Sequence, residues 1–516
     1  MDLTTLVPVA ILLAFVVIQV VQRRRTRRLS LPPGPPADPL IGHLRLMPNT
    51  NDAAEVFHGW AQTHGDVMSL DILGKRLIIL SSQEAATDLL ERRGSNYADR
   101  PSFPMYERIG WKDALVFLPY GPYFKRQRKM IQSPFEKDKV AVYAHIQEQE
   151  ACVMLYNFLN EPGKMDRHVH RYTTAMIMEI AYGHRILSED DEYLRMAEEI
   201  IDILSATARP SLLDVSPIFD KLPSWFPGAW FIKYIEETKP IVRQHVQNPI
   251  SDVQRQLAAG TAKSSFVSHQ LEDLSREGQL SAESRYDLGM VAHMIFGGGS
   301  ETSYHTIVIF LACMLMNPEV QRKGQEEIDK ITEGGRLPDF TDRDALPYVD
   351  CIVKETMRWH PVFPSGLPHR AVDDDEYRGM RIPKGAFIIA NARSITWDPR
   401  HFHDPQSFKP ERFLPKPEGA GEIFPQGAVF GWGRRICPGR YLALDMVWIA
   451  VARILAVFDI QETRDGAGNI IKPNIEFGTA LTSYPKPFPC DLRPRSKKAA
   501  DLIKQGYDMH MADVDI

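Results

Sequence analysis

One stretch constrains the fold more than any other. A run of about thirty residues, from Tyr286 to Met316, is apolar on nearly all sides. A helix with no polar face belongs in the centre of a large folded body, with other helices packed around it. In its middle stand Gly297, Gly298 and Gly299, followed by Ser300, Glu301 and Thr302. Each glycine costs a helix about 1 kcal/mol against alanine, so three in a row need a reason. Close packing against another helix is one reason. The other is that something must approach the backbone beside Glu301 and Thr302. Spacing alone gives the two equal weight.

The rest of the chain suits such a centre. Helical periodicity recurs around 84–93, 140–159, 172–182 and 349–359, and strand-like runs occur at 66–70, 76–80 and 387–390. The fold expected is mainly α with a smaller β-rich region. The chain has 516 residues, of which 44% are hydrophobic, enough for one large core. No internal repeat or long linker interrupts residues 42–490, so residues 38–495 are read as one catalytic body. The formal net charge of −5 gives no global sign of a nucleic-acid partner.

The termini read differently. Residues 1–22 are almost wholly apolar and long enough to span a hydrocarbon core. Asp2 precedes this run, and Arg23, Arg24, Arg25, Arg27 and Arg28 follow it. That order predicts a retained transmembrane anchor helix with the body in the cytoplasm, rather than a cleaved signal peptide. Residues 23–37 form a basic, proline-rich hinge that ends the anchor. Residues 496–516 are a polar tail, expected to be loosely ordered.

The five cysteines, Cys152, Cys313, Cys351, Cys437 and Cys490, are far apart and form no CxxC pair. A disulfide framework and a cysteine zinc site are both disfavoured. His168 with His170 and His401 with His403 lack metal-ligand spacing, and surface or structural roles are expected for them. Four of the cysteines read as buried thiols. Cys437 differs because of its neighbours, Phe430-Gly-Trp-Gly-Arg-Arg-Ile-Cys-Pro-Gly-Arg440. Gly431, Gly433 and Gly439 permit tight turns and close approach to a flat ligand. Pro438 favours the first position of the helix that follows. Cys437 is therefore expected near a helix N-terminus, where free N–H groups and nearby arginines lower its pKa. Such a thiolate suits either nucleophilic catalysis or a single soft bond to a metal.

This segment resembles the haem-binding signature of the cytochrome P450 family, Phe-x-x-Gly-x-Arg-x-Cys-x-Gly, through Phe430, Gly433, Arg435, Cys437 and Gly439. Three further segments match in order. Glu355-Thr-Met-Arg358 with Arg412 in Pro410-Glu-Arg-Phe413 is similar to the family's buried Glu–Arg–Arg network. Gly298-Gly-Ser-Glu-Thr302 is similar to its oxygen-binding groove. Gly121-Pro-Tyr-Phe-Lys-Arg-Gln-Arg128 resembles its Trp-x-x-x-Arg helix, with Phe124 in place of tryptophan.

The resemblance implies the cytochrome P450 fold with haem as cofactor and Cys437 as axial thiolate. Arg128, Arg435 and His369 would bind the propionates, and Glu301 and Thr302 would serve proton delivery. Glu355, Arg358 and Arg412 would serve folding and haem retention. The implied reaction inserts one oxygen atom from O2 into a C–H bond of a small apolar organic substrate, as in fungal secondary metabolism such as terpenoid biosynthesis. Electrons would come from NADPH through a cytochrome P450 reductase, with cytochrome b5 as an optional second donor, at the endoplasmic reticulum membrane. Lys125, Arg126, Lys129 and Arg440 are candidates for docking that donor. Met294, Ile295, Phe296, Phe363 and Leu481 would form an apolar pocket, and 225–231 would lie near the membrane and a substrate entrance. Two alternatives stand beside this: a haem-thiolate isomerase, dehydratase or peroxygenase that needs no reductase, and a non-enzymatic, membrane-tethered haem-binding protein.

Overall fold

The computed structural model describes residues 29–48, 53–209, 211–479 and 482–512. The expected anchor at 1–22, and the arginines up to residue 28, lie outside these residues. Among the described residues no helix is long and apolar enough to cross a membrane.

The helices that frame the site are α1 (Pro122–Gln132), α2 (Ala144–Asn160), α3 (Met165–Tyr182), α4 (Glu192–Thr207), α5 (Trp230–Ala259), α6 (Ala282–Met316), α7 (Pro347–Trp359), α8 (Arg440–Val457) and α9 (Lys497–Ala512). The apolar run is α6, 35 residues long and buried along most of its length. It begins at a capping box, in which the Ser281 hydroxyl accepts from the Ser284 amide at 3.1 Å. Two helices of like character lie against it: α3, buried from Val169 to Met178, and α8, buried from Met446 to Leu455. A helix that is apolar all round thus has helix on several sides, as its composition requires.

The larger sheet joins β1 (Val67–Ile72), β2 (Lys75–Leu80), β3 (His369–Arg370) and β4 (Phe387–Ala390), in spatial order β1-β2-β4-β3. β1 and β2 form an antiparallel hairpin that turns through Leu73 and Gly74, both at positive φ. β2 and β4 run parallel, with Ile78 opposite Ile388. The proline hinge is docked on this sheet: the Ser69 hydroxyl and amide donate to the Pro32 and Pro33 carbonyls at 2.7 and 2.8 Å.

The tail differs from expectation. Residues 497–512 form α9, which packs on α2. Tyr507 stacks on Tyr156 with ring centroids 3.7 Å apart, and Ile503 is fully buried. Arg495 pairs with Asp329 at 2.6 Å just before the helix. Charge frequency suggested a loose tail, but the apolar residues lie on one helical face.

Candidate active site

Cys437 lies two residues before Gly439, the N-cap of α8. Its amide donates to the Phe430 carbonyl at 2.7 Å, which closes the loop. Gly431 and Gly433 have φ of 84° and 49°. A Cβ on Gly433 would stand 2.6 Å from the Leu90 carbonyl oxygen, so glycine is required there by packing within the chain. A Cβ on Gly439 would meet no atom within 4 Å.

Cys437 is half-buried on the wall of a cavity. Burial pushes the Cys437 thiol up, while a hydrogen bond from the Gly439 amide and the guanidiniums of Arg128 and Arg440 pull it down; burial wins. This corrects the expectation that the helix terminus and arginines alone make a thiolate. A metal cation at the sulfur is what would hold it deprotonated.

Cys437, Phe430, Thr302 and Glu301 line one cavity. Gly297 and Gly298 line it too, and a Cβ on Gly298 would meet nothing within 4 Å. A Cβ on Gly299 would instead fall 2.7 Å from Cδ1 of Ile177 on α3. The two explanations for the glycines therefore apply to different residues. Gly299 permits helix packing, and Gly298 leaves room in the cavity. The Thr302 hydroxyl donates to the Gly298 carbonyl at 2.9 Å.

Three guanidiniums and an imidazole line another part of the same cavity: Arg100, Arg128, Arg435 and His369. Arg435 donates to the carbonyls of Ala98 and Leu118 at 2.6 and 2.7 Å, and its guanidinium carbon lies 3.8 Å from the centre of the Phe124 ring. The phenylalanine that replaces tryptophan thus supports an arginine. Arg128 donates to the Ile436 carbonyl at 2.6 Å. His369 donates from Nδ1 to the Tyr97 carbonyl at 2.7 Å, in the tautomer that this contact requires, and burial lowers its pKa well below the usual histidine value.

Arg100 was not singled out from the sequence. It donates to the Leu367 and Pro368 carbonyls at 2.8 and 2.6 Å, and burial brings its pKa down to about 9. Its sequence neighbour Asp99 hides the signal, because that carboxylate instead serves the Tyr120 amide and Arg370. None of Arg100, Arg128 and Arg435 forms an ion pair with a described carboxylate. Arg100 and Arg435 are buried and Arg128 is half-buried, and cations so placed with neutral oxygen partners favour an anion beside them. Two carboxylates on a flat ligand whose centre meets Cys437 satisfy that need, so these residues fit haem and its propionates.

Behind this wall, both oxygens of Glu355 receive bonds from Arg358, at 2.6 and 2.8 Å, and Arg412 donates to the same carboxylate at 3.0 Å. The network has a fourth member absent from the motif: Glu422, 2.7 Å from Arg412. Two carboxylates and two guanidiniums balance in charge.

Among the other candidates, Met294 and Phe363 line the cavity, whereas Ile295 and Phe296 are buried in the helical core instead. Leu481 lies outside the described residues. Arg126 is held by Asp287 of α6 at 2.5 Å and is no free cation for docking. Arg440 donates to the Cys437 carbonyl at 3.1 Å, while Lys125 and Lys129 are exposed. Trp225, Phe226 and Trp230 are exposed, and Phe231 is buried. His168 is structural, bonding the Glu161 carbonyl at 3.0 Å, and His401 meets Glu84 at the surface. Among the described residues no cluster suits a metal ion bound by side chains of His, Cys, Asp and Glu alone.

A family model described as Cytochrome P450 matches residues 32–487. The chain belongs to the cytochrome P450 family. It is a P450 monooxygenase by family, and the cofactor the family implies is haem with a cysteine thiolate ligand. A cytochrome P450 monooxygenase of Armillaria gallica is 39% identical over 484 residues, covering 92% of this chain and 94% of that protein. Cytochrome P450 monooxygenase 136 of Postia placenta is 35% identical over 498 residues, covering 96% and 94%. Tryptamine 4-monooxygenase of Psilocybe cyanescens is 34% identical over 484 residues, covering 92% and 95%. Helix α9 lies beyond the residues that the P450 model matches.

Proposed function

We propose that this P450 holds haem through Cys437 and inserts one oxygen atom of O2 into a C–H bond of a small, largely apolar organic molecule. The observation that carries the proposal is the cavity itself, with a half-buried cysteine, the Glu301–Thr302 pair and three guanidiniums that form no ion pair among the described residues all on its walls. Haem bound there would supply the oxygen activation and electron storage that no side chain offers. Arg100, Arg128, Arg435 and His369 would hold its two carboxylates. Neutral His369 presents only a lone pair from Nε2, so it would donate to a propionate as the imidazolium, which that carboxylate's charge favours.

Thr302 would place a hydroxyl at the oxygen-binding groove, exchanging its bond to the Gly298 carbonyl for one to ligand or water. Glu301, which burial biases toward the neutral form, would supply protons. The remaining walls are mainly apolar, with Val116, Phe117, Ile200, Leu204 and Val362 among them, and favour an apolar substrate. A terpenoid, a polyketide or an aromatic alkaloid of fungal secondary metabolism would suit such a pocket. Electrons would arrive from NADPH through a cytochrome P450 reductase, with residues 1–22 anchoring the protein to the endoplasmic reticulum. Exposed Trp225, Phe226 and Trp230 would rest against that membrane.

Co-expression with a fungal reductase, followed by comparison of metabolites, tests the proposal. Oxygenated products are expected only with NADPH and reductase present. Products formed with peroxide alone, or without any oxidant, would contradict it.

A further inference from the structure

Glu301 is enclosed between two histidines. Nε2 of His170 on α3 lies 3.4 Å from Oε1 of Glu301, and Nε2 of His305 on α6 lies 3.6 Å from Oε2. The two histidines are not equivalent. His305 stacks on Tyr484 at 3.8 Å, and burial holds its pKa down to about 3, so it stays neutral. His170 instead lines a second, strongly polar cleft, formed by Arg167 and Arg171 of α3, Arg195 and Glu198 of α4, and Glu189 and Asp190 between them. Glu301 lines the cavity of Cys437. The lining of the outer cleft and the lining of the inner cavity thus meet at this one pair of side chains. Nε2 of His170 and Oε1 of Glu301 are both buried, and neither has a hydrogen-bond partner among the described residues. Buried polar atoms left open in this way mark a place where a proton or a water is received.

We propose that His170 carries protons from the outer cleft to Glu301, and so sets the supply to the cavity above Cys437. The proposal rests on the reading of Glu301 as the inner proton donor. One proton leaves Nε2 of the imidazolium for the Glu301 carboxylate, giving a neutral ring and a carboxylic acid. Rotation of the ring turns the bare nitrogen toward cleft water, which returns one proton and restores the imidazolium. No electrons move.

The charged groups around His170 favour this role. Glu301 faces it from α6. Tyr304 of α6 packs edge-on against its ring and donates to Asp166, on the first turn of α3, at 2.6 Å. In the cleft, Arg171 is paired with Glu150 at 2.7 Å and Arg167 with Glu189 at 3.1 Å, so those cations are largely balanced. His170 is a positioning residue for the reaction, since it acts through Glu301.

The test uses the haem-loaded, full-length protein with its reductase. His170→Gln keeps the size and a donor but cannot carry a proton. Turnover is expected to fall by about 100-fold, the low end of what general acid–base groups contribute. The solvent deuterium isotope effect is expected to rise, and the fall in rate with increasing pH to change shape. A readout without turnover is the infrared carboxyl band of Glu301 in the resting protein, assigned by its absence in Glu301→Gln. Its titration with pH is expected to shift in His170→Gln. If the isotope effect, the pH profile and the carboxyl band all stay as in the wild type, the proposal is overturned. Should His170→Gln fail to hold haem, Glu198→Trp at the exposed mouth of the cleft decides instead. A raised isotope effect supports the route and an unchanged one contradicts it. The ferrous–CO spectrum of the wild type separates the two levels: an abnormal spectrum there overturns the haem-thiolate reading, not the route alone.

Discussion

The guanidinium of Arg358 donates to both oxygens of Glu355, at 2.6 and 2.8 Å, and neither side chain reaches solvent. Arg412 completes the cage at 3.0 Å, and Glu422 balances Arg412. Removal of one partner leaves a buried charge uncompensated, which costs about 3–5 kcal/mol. Glu355→Ala and Arg358→Ala are therefore expected to lower the thermal midpoint sharply and to yield protein with little haem. Arg322→Ala, which breaks exposed pairs with Glu319 and Glu326, is expected to leave stability nearly unchanged. Differential scanning calorimetry of the three variants checks the contrast.

Arg100 separates haem retention from chain stability. Its charge is buried among carbonyl oxygens and forms no ion pair with a carboxylate among the described residues. Arg100→Met is expected to stabilise the haem-free chain, because an unmatched buried cation is removed. The same change is expected to speed haem loss, because a partner of the haem carboxylates is gone. Urea unfolding of the haem-free protein and haem transfer to an acceptor globin measure the two effects, which should have opposite signs.

Gly298 and Gly299 should behave differently despite being adjacent. Alanine at 299 must displace the Ile177 side chain, and overpacking of this kind costs about 1–3 kcal/mol. The double variant Gly299→Ala with Ile177→Ala is expected to be less destabilised than the sum of the single changes. Alanine at 298 points into open space, so the helix should gain up to about 1 kcal/mol while the oxygen-binding groove narrows. Thermal midpoints and carbon monoxide association rates distinguish the pair.

Glu301 should make stability depend on pH in a definite direction. Burial raises its pKa in the folded chain, although His170 partly offsets the rise. The folded protein then binds more protons than the unfolded chain across the window between the two values, so stability falls as pH rises through it. The contribution is fully present below the ordinary carboxylate pKa and is lost as pH climbs through the folded value. Glu301→Gln is expected to flatten this part of the profile, and a difference between the two proteins that shrinks with rising pH would contradict the assignment.

The parts of this structure legible in sequence are those that follow from local chemistry. The long apolar run gave α6, the short strand-like runs gave β1, β2 and β4, and Pro438 lies two residues before the start of α8 at Arg440 rather than at its first position. The Glu355–Arg358 spacing placed both charges on one face of α7. What escaped notice depends on which residues distant in the chain become neighbours. Arg100 belongs to no motif, and only the fold brings it to the same cavity as Arg128 and Arg435. Glu422 carries no motif and joins Arg412 only through the turn around 410–422. His170 lies in a His-x-His pair for which the sequence implies a surface or structural role, and it acquires its setting beside Glu301 from the packing of α3 on α6. Helix α9 was read by charge content, which conceals its apolar face. The pKa of Cys437 was misjudged because N–H groups and arginines are visible in sequence while the depth of burial is not.

The central claim is that Cys437 binds haem iron as a thiolate. Its most direct test is the ferrous–CO spectrum of the purified wild-type protein and of Cys437→Ala, each reconstituted with haem. The wild type is expected to show the strongly red-shifted Soret band that a thiolate ligand produces, and Cys437→Ala is expected to lack it. Persistence of that band in Cys437→Ala, or its absence from a folded, haem-loaded wild type, would contradict the assignment.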